Sequence, residues 1–304
     1  MPELPDLEVY KEQLASRIVG ETLVGVRIAN PFLVRSFDPP LKATLGKRIT
    51  DVRRMAKRIV FVLEDDLFIV IHLMIAGRFR WRDPNEKIPG KLGLAAFDFA
   101  KGTLLLTEAG TKRRASLHVV RGDVALRALD PGGIDVFACK KAEFKGALMK
   151  ERHTLKRTLT DPHLFSGIGN AYSDEIFHRA KLSPVKMSTA LDDDEITRLF
   201  TETRKVLEEW TDRLRKEAKG DFPEKVTAFR EEMAVHGKFG KPCPVCGSLV
   251  QRIRHATNEV NYCATCQTGG KLLADRALSR LLRGDWPKSI DEMEEHMASR
   301  KTPT

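Results

Sequence analysis

Cys243-Pro-Val-Cys246-Gly-Ser-Leu-Val-Gln-Arg-Ile-Arg-His-Ala-Thr-Asn-Glu-Val-Asn-Tyr-Cys263-Ala-Thr-Cys266 sets two Cys-x-x-Cys pairs 16 residues apart. Four thiolates at this spacing fill a tetrahedral sphere, so the stretch reads as a zinc ribbon in which two turns converge on one ion. With no coordination position left open, the metal holds a hairpin in shape and activates no water. Leu249 to Arg254 and Glu259 to Tyr262 suit the two strands, with His255 to Asn258 at or near the tip. The fifth cysteine, Cys139, stands apart and reads as a small packed side chain.

Residues 238 to 283 around the ribbon carry eight Lys or Arg against Glu259 and Asp275, and the 304-residue chain has a formal net charge of +10. That excess favours a polyanionic partner, and a basic ribbon suits a phosphate backbone. A composition of 42% hydrophobic and 31% charged residues excludes a collagen-like or wholly disordered chain. The length implies about two domains, each able to bury a core. The longest apolar stretch, Leu67 to Gly77, is interrupted by His72 and falls far short of the roughly 20 residues that span a bilayer. No membrane segment is expected. The opening MPELPDLE lacks the basic start and apolar run of a secretory signal, so a cytoplasmic, bacterial-type protein at the nucleoid is expected.

Upstream of the ribbon the periodicity is helical near 141 to 151, 154 to 161, 171 to 181 and 192 to 217. In the last segment Ile196, Leu199, Phe200, Thr203, Leu207, Trp210 and Leu214 mark one face, and Asp192 to Glu195 place negative charge at its start. From Leu23 to about Val136 short β-rich runs separated by turn residues predict one antiparallel β domain. Its clearest hairpin is Arg58 to Leu73, where RIVFVL and LFIVIHL flank Glu64-Asp65-Asp66. At the start of the chain Leu7, Tyr10, Leu14 and Ile18 recur at helical spacing and stop at Gly20, predicting a helix over 6 to 19. The fold class is therefore α+β. The expected domains are 1–136, 137–237, a finger at 238–270 and an extension at 271–304, whose last residues, ASRKTPT, are expected to be mobile.

Proline at position 2 permits removal of Met1 and leaves a secondary amine at the end of the chain. An α-amino group has a pKa of about 7.7 to 8.0, so roughly a tenth to a fifth of it is neutral at pH 7, whereas an unperturbed lysine is almost wholly protonated. Such an amine can attack a sugar C1′. Taken alone, the same residues also read as a turn leading into a helix. The amine gains a context from Met1-Pro-Glu-Leu-Pro-Asp-Leu-Glu8, Arg53-Arg-Met-Ala-Lys-Arg58, His72-Leu-Met-Ile-Ala-Gly77, Phe165-Ser-Gly-Ile-Gly-Asn-Ala-Tyr-Ser-Asp-Glu175 and the four-cysteine finger, in that order. With these motifs the chain, over nearly its whole length, resembles the formamidopyrimidine-DNA glycosylase and endonuclease VIII family of base-excision repair enzymes.

The resemblance implies a β-sandwich domain behind the N-terminal helix, then a helix-two-turn-helix domain with a zinc finger, acting as a monomer on damaged DNA. It implies one structural zinc on Cys243, Cys246, Cys263 and Cys266. Carried over by motif, Pro2 matches the nucleophile that forms a Schiff base with deoxyribose, and Glu3 matches its acid-base partner. An iminium is an electron sink that acidifies the C2′ proton, so one amine can serve base release and β-elimination. Lys57 and Asn170 match residues that pin phosphates near the lesion. Glu8 and Glu175 match further acidic positions, with a structural carboxylate as the alternative reading.

The match departs in places. Asn258 stands where the family carries a phosphate-gripping arginine, which weakens the expectation of δ-elimination, and Asp6 stands where Glu is common. The wedge that fills the space of an extruded base falls on Met74 and Ile75, with register favouring Ile75, or both are simply packed at a strand end. Arg113 or Arg114 supplies the second loop, without a phenylalanine, and the connection Lys219 to Arg230 is short for a lesion cap. Two alternatives follow: a member limited to β-elimination or to open, single-stranded DNA, and a non-enzymatic zinc-ribbon protein that binds DNA by charge.

Overall fold

The hairpin at Arg58 to His72 forms with Val62 opposite Phe68 and Arg58 opposite His72. Asp65 and Asp66 take left-handed φ values of 61° and 54°, which short polar side chains tolerate by bonding locally. The computed structural model describes residues 1–110, 112–255, 258–273, 287–290 and 292–293. In chain order the first elements are α1 (Leu4–Ile18), β1 (Gly25–Ile28), β2 (Ile49–Met55), β3 (Arg58–Leu63), β4 (Leu67–His72), β5 (Gly77–Arg82), β6 (Gly93–Phe99), β7 (Gly102–Glu108), β8 (Ser116–Arg121) and α2 (Gly122–Ala128). The strands build two antiparallel four-stranded sheets, β1-β6-β7-β5 and β2-β3-β4-β8.

One core joins both sheets to α1. Leu7, Tyr10, Leu14 and Ile18 of the helix are buried with Phe61 and Ile69 from one sheet and Phe79, Phe97 and Leu104 from the other. Tyr10 meets Phe79 edge-on at 5.4 Å and Phe61 meets Phe97 at 5.7 Å, so the two sheets interdigitate as a sandwich. Each such side chain contributes on the order of 2 kcal/mol by leaving water. The opposite face of β3 and β4 carries Val60, Val62, Phe68 and Val70, covered by Leu126 and Leu129 from α2 and its C-cap. The β-rich runs read from sequence, Val24 to Ile28, Ile49 to Val52, Ile59 to Leu63, Leu67 to Leu73, Leu92 to Phe97 and Thr103 to Thr107, leave out β5 and β8. The Gly-Arg-Phe-Arg-Trp-Arg of β5 buries only Gly77 and Phe79, and its three arginines dilute the apolar signal.

The remaining elements are α3 (Lys141–Met149), α4 (Leu155–Thr160), α5 (Asn170–Arg179), α6 (Asp193–Ala218), β9 (Gln251–His255), β10 (Asn258–Tyr262) and α7 (Ala264–Thr268). Met1–Gly133 with Leu207–Ala228 forms one compact unit, and Ile134–Val206 with the chain from Phe229 onward forms another. In the second unit Phe144 packs between Phe165 at 4.9 Å and Phe200 at 5.3 Å, joining α3, the loop before α5, and α6. Among the described residues no helix is long and apolar enough to cross a membrane. The mobile tail expected at ASRKTPT lies outside the described residues.

Candidate active site and metal centre

The N-terminus is locked by its own helix cap. The Glu3 backbone N–H donates to the Asp6 carboxylate at 3.0 Å, and the Asp6 N–H faces the Glu3 side chain in return, a capping box. Pro2, Glu3 and Asp6 are all buried, Glu3 to 2% exposure. Burial pushes the pKa of the Met1 amine, the terminus of the unprocessed chain, below its ordinary 8.0; Glu3 and, less strongly, Asp6 oppose this, while Arg78 and Lys57 add to it. Lys57 reaches this place because Ala56-Lys57 is the two-residue turn between β2 and β3, closed by Met55 opposite Arg58, with Ala56 at φ 50°. Glu8 faces elsewhere. Its burial alone would raise its pKa, but hydrogen bonds from Lys11 and from Arg54 Nε (2.6 Å) outweigh that and hold the carboxyl low.

The chain turns between β4 and β5 at Met74-Ile-Ala76. A Cβ on Gly77 would lie 2.2 Å from the Leu73 carbonyl oxygen, so only glycine closes this turn. Leu73 is buried, Met74 is half-buried at φ 53°, and Ile75 is 62% exposed at the tip. Arg78 pins the turn through Nη1 to the Gly77 carbonyl at 2.6 Å and reaches the Val226 carbonyl through Nε at 2.6 Å. The second loop hangs on buried Glu108, whose carboxylate accepts the N–H of Arg114 at 3.0 Å and of Ala115 at 3.1 Å. Arg113 and Arg114 are exposed there, and Arg113 donates to the Lys91 carbonyl.

His72 ends β4 between Arg58 and Ser116. Burial first, then the charges of Arg58, Lys57 and His118, lower its pKa from 6.5 to about 4. Below pH 6.5 the unfolded chain therefore takes up a proton that the folded chain refuses, and stability falls as the pH drops toward 4. The full loss attributable to this ring is about 3 kcal/mol. Urea denaturation of the wild type and His72→Asn across pH 4 to 7 should show a shallower acid slope in the variant; identical slopes would remove His72 from the account.

The second constellation sits on α5. Gly167, at φ 81°, and Gly169, the N-cap, let the chain turn into Asn170, the first helical residue. Asn170 Nδ2 donates to the Glu259 carbonyl of β10 at 2.7 Å, while Lys156 Nζ donates to the Asn170 carbonyl at 2.7 Å, Ser173 Oγ at 2.8 Å and Asp174 Oδ1 at 2.5 Å. One and two turns along the same face, Asp174 Oδ2 takes the Asn261 N–H at 3.2 Å and meets His236 Nδ1 at 2.8 Å, and His178 Nε2 lies 3.3 Å from Cys243 Sγ. Glu175 accepts the N–H groups of Ala234, Val235 and His236 at 2.8 to 2.9 Å, and its burial raises the carboxyl despite them.

The four cysteine Sγ atoms lie within 4.8 Å of one another. Tetrahedral zinc with bonds near 2.3 Å separates sulfurs by about 3.8 Å, so the donor set fits the ion. Burial pushes the Cys263 thiol up to about 11, whereas at Cys246 hydrogen bonds to Ser248 and its fellow cysteines overcome burial and bring it down to about 6. One thiolate is thus available at neutral pH to begin metal binding. Asn258 opens β10 opposite His255, so it lies beside the tip; Ala256 and Thr257 lie outside the described residues. Arg252 is engaged otherwise, stacked 4.0 Å from the Phe239 centroid and 3.3 Å from Glu259.

Glu3 and Lys57 thus act on the Met1 amine, one residue ahead of Pro2, in the first unit, while Asn170, Asn258 and the cysteines gather in the second. Sequence reading missed Arg78, Lys156 and His236. Only the arginine alternation of β5 hinted at the first, and the other two act through partners distant in sequence.

Comparison with known proteins agrees with this layout. The family model of the formamidopyrimidine-DNA glycosylase N-terminal domain matches residues 1–114, that of the formamidopyrimidine-DNA glycosylase H2TH domain matches 133–216, and the zinc finger found in FPG and IleRS matches 240–269. A formamidopyrimidine-DNA glycosylase of Heliobacterium modesticaldum is 31% identical over 88% of this chain and all of its own length. A Mycobacterium tuberculosis protein described as formamidopyrimidine-DNA glycosylase-like is 40% identical over 52% of this chain and 96% of its own. Lactococcus lactis Fpg, solved with DNA containing an abasic site, superposes with a TM-score of 0.77 at 25% identity, over 88% of this chain and 99% of its own. With one structural zinc in its four-cysteine finger and these matches along its length, the chain belongs to the formamidopyrimidine-DNA glycosylase family.

Proposed function

We propose that the protein is a bifunctional DNA glycosylase and abasic-site lyase of base-excision repair, with Pro2 as nucleophile once Met1 is removed. The observation that carries this reading is that Pro2 and Glu3 are buried beside the Met1 amine, on which the charges of Glu3, Arg78, Asp6 and Lys57 act and whose pKa burial lowers. The same burial around Pro2, once it is the terminus, would enlarge the neutral, nucleophilic fraction of its amine at pH 7. In this reading the Pro2 nitrogen bonds to C1′ and the glycosidic bond breaks, with the released base taking a proton. Ring opening at C1′–O4′, assisted by Glu3, leaves an iminium. Loss of the C2′ proton then breaks the C3′–O bond to phosphate, and water returns the amine. Lys57 and Asn170 hold flanking phosphates, Ile75 with Met74 enters the stack, and Arg113 or Arg114 faces the opposite strand.

A limit at β-elimination is favoured by one observation. The finger offers Asn258 beside its tip, and Arg252, which could replace a tip arginine, is held by Phe239 and Glu259. Asparagine lacks the charge and fork that grip a phosphate through a second elimination. Incubation with a duplex carrying an oxidised purine, followed by gel analysis of the ends, tests both statements. Base release with a 3′ unsaturated aldehyde is expected, a 3′ phosphate would show δ-elimination, and an intact strand with no base release would refute the enzymatic reading.

A further inference from the structure

The family finger ends at residue 269, and the chain continues for 35 more residues. The described part of this extension docks on the finger. Lys271 bridges to Ser289, the Leu272 N–H donates to the Lys288 carbonyl at 3.0 Å, and the Leu273 N–H donates to Tyr262 Oη at 2.7 Å. Ile290, Met293 and Leu272 pack with Ile253, Val260 and Tyr262 of the finger. Backbone pairing thus ties residues 288 and 289 to Lys271 and Leu272, and apolar contact sets Leu272 and Ile290 against the finger.

Where the two meet they leave a cavity of about 520 Å³, and its walls include Ser248, Thr265, Gly270, Lys271, Lys288 and Ser289. Among the described residues no acidic one lines it. Among the described residues neither Lys271 nor Lys288 has a carboxylate partner, and Glu292 accepts the Lys288 backbone N–H at 2.6 Å. Two ammonium groups around one cleft repel each other, and an anion between them turns that repulsion into attraction. Ser289 Oγ accepts the Glu292 N–H at 3.2 Å, which leaves its own hydrogen to donate into the cleft.

We propose that this cleft is a phosphate-binding site, made jointly by the finger and the C-terminal extension, in which Lys271 and Lys288 supply the charge and the Ser289 hydroxyl a hydrogen bond. It is independent of the chemistry at Pro2. The phosphate has two possible sources, a DNA backbone away from the lesion or a free phosphate compound, and both present the same oxygens to the two lysines.

Titration of the ¹⁵N-labelled, zinc-loaded protein with inorganic phosphate at constant ionic strength should shift the amides of Gly270, Lys271, Lys288 and Ser289 saturably, in the low-millimolar range. The double variant Lys271→Gln, Lys288→Gln should lose the shifts while keeping its zinc and melting temperature. If backbone phosphate is the natural ligand, the variant's salt slope for binding undamaged duplex falls by about one. An unchanged slope beside intact phosphate shifts assigns the site to a free phosphate compound. Shifts equally produced by chloride, or absent, overturn the proposal. Borohydride trapping of the variant on abasic DNA at low salt should match the wild type, so failure here and failure of the glycosylase reading are separate results.

Discussion

Borohydride added to the processed protein and an abasic-site duplex should yield a covalent complex, and the form that retains Met1 should lose that yield by on the order of a thousandfold or more. Retained Met1 turns the Pro2 nitrogen into an amide, which cannot add to a carbonyl. The Met1 amine that replaces it is displaced by one residue, about 3.8 Å along the chain, far more than a reacting pair tolerates. A lysine is a poor substitute in general, because an ordinary side-chain amine near pKa 10.4 is neutral in fewer than about one molecule in a thousand at pH 7. Glu3→Gln should separate the two roles of the site. The amine survives, so trapping on a preformed abasic site persists, while release of a base slows by about two to four orders of magnitude. Equal trapping by the Met1 form would move the nucleophile to a lysine.

How far this arrangement could be read from sequence depends on the range of the forces involved. The finger was legible because tetrahedral coordination dictates its Cys-x-x-Cys spacing, and the β3–β4 hairpin because β-branched runs flank three acidic turn residues. The helix of Leu7, Tyr10, Leu14 and Ile18 was legible from its period. Arg78 was not, since its role comes from a contact with Val226, 148 residues on, and from its charge acting on the Met1 amine ahead of α1. The ties from Asp174 to His236 and Asn261 span 62 and 87 residues and carry no local signature. The docking of Ile290 and Met293 on an apolar partner in the finger is likewise something local composition does not announce.

Removal of zinc, by a strong chelator or by Cys263→Ser, should reduce the metal from one ion per chain to none and unfold the finger. The fragment cannot hold itself. Beyond the cysteines, its apolar support is Val235 and Val250 on one side and Ile253, Val260, Tyr262 and Ala264 on the other, too little to offset the entropy of ordering some thirty residues. Metal binding contributes about 10 to 16 kcal/mol in comparable fingers, so its loss exceeds anything this packing supplies. The consequences run into α5. Asn170 Nδ2 loses the Glu259 carbonyl, Asp174 loses the Asn261 N–H, and His178 loses its place against Cys243. Hydrogen exchange should therefore quicken first in β9 and β10 and next at the start of α5, and affinity for abasic DNA should drop by on the order of a hundredfold as phosphate contacts disappear. The core of α1 and the two four-stranded sheets contains none of these residues and should keep its protection. Retained protection of β9 and β10 in zinc-free protein, with DNA affinity within about twofold of the holoprotein, would show that the hairpin stands without its metal and that the ion does something other than hold it in shape.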